Sequence, residues 1–145
     1  MSTSLSLQDV VVAKSLCLDM VTRLFKYYDL RDYDKLFTLF TPDGVWNRPD
    51  GAARVGPELL AALAKRPDNL TVSHVLSNLL ADIDAPDRIT VTGLMTIFRD
   101  DNGKLSPPPA KMSPPTALIE FIIQCRKVSQ DWRAAVIDIN YIFKS

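Results

Sequence analysis

Residues 70–83 read LTVSHVLSNLLADI. No glycine or proline interrupts the run, and small polar residues alternate with β-branched and aliphatic ones. That pattern predicts a long strand. Residues 88–99, 116–128 and 132–143 repeat the pattern, rich in Val, Ile, Thr and Phe. The links Asp84-Ala85-Pro86-Asp87 and Ser129-Gln130-Asp131 are short and polar, as antiparallel hairpins require. The remaining link, residues 100–115, holds five prolines and a glycine. It excludes a regular element and is expected to form a lid or partner-contact loop at one end of the sheet.

The first half differs in period. Val10, Ala13, Cys17, Met20, Val21, Leu24 and Tyr28 recur at steps of three and four, which predicts a helix over residues 7–29. Ser6 with Asp9 resembles a capping box at its start. A second helix is expected over residues 32–40, stopped by Thr41-Pro42. Asp43-Gly44 signals a turn. Residues 45–48 and 52–55 then read as a short hairpin across Pro49-Asp50-Gly51. Gly56-Pro57-Glu58 opens a third helix that closes at Lys65-Arg66-Pro67. Helices followed by hairpin strands give an α+β fold in the order ααββαββββ. The strands are expected to form a curved antiparallel sheet wrapped around the helices as one domain, 1–145.

The 145 residues carry 17 basic and 17 acidic side chains. The balance is local as well: nine of each sign fall in 1–72 and eight of each in 73–145. With no basic stripe to meet phosphates, nucleic acid is not an expected partner. No apolar run reaches the roughly 18 residues of a membrane span, and residues 1–8 lack the features of a signal peptide, so a cytoplasmic protein is expected. Cys17 and Cys125 lie among apolar residues and lack metal-binding spacing; they read as buried thiols. One histidine with two distant cysteines is a poor zinc set, so neither metal nor cofactor is expected. Phosphate-binding glycine motifs and the nucleophile elbow are also missing.

Period-two sorting puts Leu70, Val72, His74, Leu76, Asn78 and Leu80 on one face of the first long strand. In the next strand Ile89, Val91, Gly93, Met95 and Ile97 share a face. Glu120, Asp138 and Asn140 interrupt apolar faces and read either as cavity residues or as edge or interface residues. Most strands are apolar on both sides. One side is expected to meet the helices and the other a second copy of the chain, giving a homodimer through the sheet.

The lone histidine sits mid-strand on an apolar face, where its second ring nitrogen needs a partner. Tyr28 and Asp29 end the first helix, and Asp32 and Asp34 follow. A carboxylate from that helix end would fix the imidazole's tautomer while its other nitrogen moves a proton. The alternatives are a structural histidine and a solvated acidic turn with a helix cap. Trp46, Asn78 and Met95 are candidate pocket residues; for Trp46 and Met95 the alternative is plain core packing.

The stretch Tyr27-Tyr28-Asp29-Leu30-Arg31-Asp32-Tyr33-Asp34-Lys35-Leu36-Phe37 resembles the signature of SnoaL-like domains of the nuclear transport factor 2-like superfamily. So do Asp43-Gly44-Val45-Trp46, the helix after Gly56, the run from Ser73 to Asn78, and Asp131-Trp132-Arg133. The resemblance implies a cone-shaped α+β fold whose cavity holds a small lipophilic molecule. Within that superfamily the pattern is most similar to scytalone dehydratase, which implies His74 as acid/base, Asp29 as its orienting partner and Tyr28 as a carbonyl-polarising group. Met95, in Gly93-Leu94-Met95, stands where that enzyme carries a second histidine. The function implied is a cofactor-free lyase or isomerase, dehydratase- or cyclase-like, acting on a small oxygenated molecule. The alternative is a non-catalytic ligand-binding or assembly subunit.

Overall fold

Ser6 caps the first helix as its sequence suggests: its Oγ accepts the Asp9 N–H at 3.0 Å, and the Asp9 carboxylate accepts the Ser6 N–H at 3.3 Å. A computed structural model describes residues 4–101 and 108–145. The expectation of a lid therefore falls in part outside the described residues. Helices α1 (Leu7–Asp29), α2 (Tyr33–Thr38) and α3 (Pro57–Ala64) accompany strands β1 (Phe40–Arg48), β2 (Gly51–Arg54), β3 (Thr71–Ala85), β4 (Arg88–Asp100), β5 (Ala117–Val128) and β6 (Asp131–Lys144). The six strands form one sheet in the order β2-β1-β6-β5-β4-β3. The α+β order matches expectation.

The sheet is curved and unclosed, and α1 lies against its inner face. Ala13, Cys17, Met20, Val21, Leu24 and Phe25 form the buried stripe of α1. They meet Ile89, Val91 and Met95 of β4, Ile119, Phe121 and Ile123 of β5, and Ala134 and Ile137 of β6 in one core. Each large aliphatic or aromatic chain buried there stabilises the fold by about 1.5–3 kcal/mol. Cys17 and Cys125 are free and buried in this core. A hydrogen bond with Cys17, and then burial, push the Cys125 thiol well above its ordinary range.

Four details depart from the sequence reading. Helix α2 ends at Thr38 rather than near residue 40, because the Leu39 carbonyl accepts the Ala134 N–H at 2.8 Å and draws the chain into the sheet. Asp43-Gly44 lies within β1 as an irregularity between Phe40 and Val45, not in a turn between elements. The sheet is antiparallel except for β1 and β6, which run parallel and, being far apart in sequence, need no hairpin between them.

The fourth departure breaks the regular alternation of two strands. Between Ser77 and Leu80 the β3–β4 register slips, and Asn78 takes a left-handed φ of 53°. Asparagine tolerates that conformation better than most residues. Beyond this bulge Leu79, Ala81 and Ile83 turn inward, and Leu80 is exposed. A second slip, between Gln124 and Cys125, makes Ala135 the extra residue of β6. Trp132 and Ala134 are buried before it, Ile137 after it. Asp138 therefore faces outward, where it accepts a hydrogen bond from Asn47 Nδ2 at 2.6 Å. Glu120 and Asn140 are exposed and register-paired across β5 and β6. None of the three carboxylate or amide side chains enters the hollow.

Candidate active site

Helix α1 ends beside the sheet in a tight turn. Leu30 N–H donates to the Lys26 carbonyl at 3.0 Å, and Arg31, at φ 58°, donates to the Tyr28 carbonyl at 3.2 Å. This puts Asp29 in the last helical turn, where the helix dipole disfavours a carboxylate. Two donors from β3 offset that. The His74 backbone N–H reaches Asp29 Oδ2 at 2.8 Å, and His74 Nδ1 lies 2.5 Å from Asp29 Oδ1. The side chains are only 10% and 19% exposed. With Nδ1 bound to a carboxylate, the ring carries its proton on Nδ1 when neutral, and Nε2 is left without a protein partner among the described residues.

The histidine ring opens onto a cavity of about 300 Å³. Phe25, Tyr28, Trp46, Met95, Ile119 and Ile139 contribute to its apolar wall. Aromatic packing fixes that wall. The Tyr28 ring centroid lies 5.2 Å from both the Trp46 and His74 centroids, and Phe25 stands 6.1 Å from His74. Met95 and Trp46 are almost fully buried, so they serve both as core and as cavity lining.

Five of the six sequence-predicted site residues thus converge: Tyr28, Asp29, Trp46, His74 and Met95. Asn78 does not. The bulge in β3 turns it to the exposed side, so the expectation of a pocket role for it is corrected. Sequence reasoning missed the cations Arg48, Lys65, Arg66 and Arg99, which also line the cavity. They lie at the ends of three elements, β1, α3 and β4, and only the topology gathers them. Among the described residues, no three metal-ligating side chains come together, and no helix is long and apolar enough to cross a membrane.

Helices laid across one curved, unclosed sheet define the cystatin-like, nuclear transport factor 2-like fold. The chain belongs to the SnoaL-like domain family, whose model matches residues 13–137. A candidate scytalone dehydratase from Novosphingobium aromaticivorans is similar in structure, with TM-score 0.80 and 15% identity, covering 97% of this chain and 91% of its own. The hexachlorocyclohexane dehydrochlorinase LinA-type3 from Novosphingobium barchaimii gives 0.78 and 12%, covering 97% and 93%. ActVI-ORFA from Streptomyces coelicolor gives 0.73 and 13%, covering 88% and 96%. At these identities the likeness concerns the fold. Comparison with curated protein sequences gives no match.

Proposed function

We propose that this protein is a lyase or isomerase that moves a proton on a small lipophilic oxygenated molecule, using His74 and Asp29 and no cofactor. The observation that carries the reading is the carboxylate–imidazole pair opening on a half-open, largely apolar hollow. Nε2 of His74 takes the proton from a carbon next to a carbonyl. Asp29 holds the ring in place and stabilises the positive charge it then acquires. Tyr28, whose hydroxyl has no protein partner among the described residues, donates to the carbonyl oxygen, directly or through water. In an elimination the C–H and C–O bonds break, a C=C bond forms, and the hydroxyl leaves as water after receiving the proton from His74. The dehydratase and dehydrochlorinase named among the structural neighbours are consistent with this class of reaction.

A bicyclic β-hydroxy ketone that loses water to give a naphthol tests the proposal by the product's absorbance. Turnover by the native chain, lost in His74→Ala with the fold retained, is the expected result. Turnover unchanged by His74→Ala would remove the pair from the reaction. A second reading, ligand carriage without chemistry, draws on Met95, a side chain with no proton to give at a buried cavity position. It requires tight binding of the same ketone with no product.

We propose further that the chain pairs with a second copy through the outer sheet face. Val75, Leu118, Ile122 and Phe143 project there from β3, β5 and β6, and Val75 and Phe143 are exposed.

A further inference from the structure

The chain as a whole is neutral, yet the cavity wall is not. Arg48, Lys65, Arg66 and Arg99 line it against one carboxylate, Asp50. Their own partners are sparse. Arg48 shares Asp50 at 3.4 Å, and Arg99 reaches the exposed Asp101 at 3.8 Å. Among the described residues Lys65 and Arg66 make no ion pair. Asp29, half-buried at the end of α1, is already engaged by His74.

Arg66 is the most informative of the four. It is half-buried at the end of α3, with its guanidinium carbon 4.6 Å above the Tyr28 ring centroid and Nη1 donating to the Tyr28 carbonyl at 2.6 Å. Its Nε is shut away from solvent with no hydrogen-bond partner. Arg31 braces the same corner, with Nη2 donating to the carbonyls of Pro67 at 2.5 Å and Leu70 at 3.2 Å. A guanidinium fixed in this way, partly desolvated and without a counter-charge, is unfavourable in an empty cavity and favourable beside an anion.

We infer that the substrate of this site carries a carboxylate, bound by Arg66, with its ring system against Trp46, Met95 and Ile119. The inference rests on the proposed ligand cavity and deepens it. Arg48, Lys65 and Arg99 add attraction at longer range. Tyr28 packs against both working groups: its centroid is 5.2 Å from that of His74 and 4.6 Å from the Arg66 guanidinium carbon. Those two groups are therefore at most about 10 Å apart, a gap that one or two fused six-membered rings bridge between a carboxyl group and a reacting carbon.

Calorimetric titration of the native chain with naphthoate and with its neutral isostere naphthamide tests this without needing turnover. Naphthoate is expected to bind roughly tenfold or more tighter at about 50 mM salt, with the advantage shrinking at about 0.5 M. Arg66→Gln is expected to cost naphthoate far more affinity than naphthamide, so that the preference is abolished, and Arg66→Lys to restore part of it. Equal binding of both probes overturns the anion proposal and leaves the ligand cavity standing. Binding of neither overturns both. An acid preference that survives Arg66→Gln overturns the assignment to Arg66.

Discussion

Asp29 holds His74 at two points, one oxygen on the ring Nδ1 and the other on the backbone N–H of the same residue. A carboxylate gripped at both atoms cannot rotate away from the ring. It also fixes where the ring sits relative to β3, so orientation and tautomer are set together. This local choice conflicts with the helix dipole at the end of α1, and such conflicts mark positions kept for a reason other than stability.

The first prediction concerns that pair. Asp29→Asn leaves a single acceptor for two donors. It and His74→Ala are each expected to lower the dehydration rate by about 10²–10⁴-fold. Because the two act as one unit, the double variant is expected to lose no more than the worse single variant. Rates for all three against the bicyclic ketone check this.

Gly93 carries the second. A Cβ there would meet Leu79 Cδ2 and Phe121 Cζ, both at 2.6 Å. Gly93→Ala is expected to destabilise the fold by about 1–3 kcal/mol through overpacking. Adding Leu79→Ala should recover part of the loss. Urea unfolding midpoints provide the measurement.

A third follows from the bulge. Asn78 holds φ 53° outside the cavity. Asn78→Val is expected to cost about 1–2 kcal/mol, the penalty of a left-handed backbone for a side chain branched at Cβ. Asn78→Gly should be close to neutral in stability. Turnover of the folded fraction is expected to be unchanged in both, which would separate this residue from the site.

The outer face yields a fourth. Ile122→Asp replaces an outward apolar side chain of β5 with a third carboxylate beside Glu120 and Asp138, and sedimentation is expected to show monomer where the native chain sediments as a dimer. A native chain that already sediments as a monomer would contradict pairing through this face.

Much of this molecule was legible from residue order alone. The α1 stripe, the Ser6–Asp9 cap, the β4 face and the meeting of Asp29 with His74 all follow from periodicity, capping chemistry and the resemblance. What escaped has a shared cause. Alternation is a local rule, and the bulges at Asn78 and Ala135 reset it, so Asn78 left the face assigned to it and Asp138 took the outward one of its two alternatives. Gly93 opposite Asn78 was the available signal of a break in the pairing. The parallel β1–β6 pair and the cation cluster around Arg66 depend on elements distant in sequence. Lys65-Arg66 read only as a favourable helix end.

The most direct test uses the fact that the chain has a single histidine. Long-range proton–nitrogen NMR of a ¹⁵N-labelled sample at alkaline pH reports which ring nitrogen of His74 carries the proton. The expected result is a protonated Nδ1 with a bare Nε2, a pattern lost in Asp29→Asn, and an Nε2 resonance that shifts when naphthoate or the ketone is added. A protonated Nε2 with a bare Nδ1, unchanged by Asp29→Asn and by either ligand, would contradict the account.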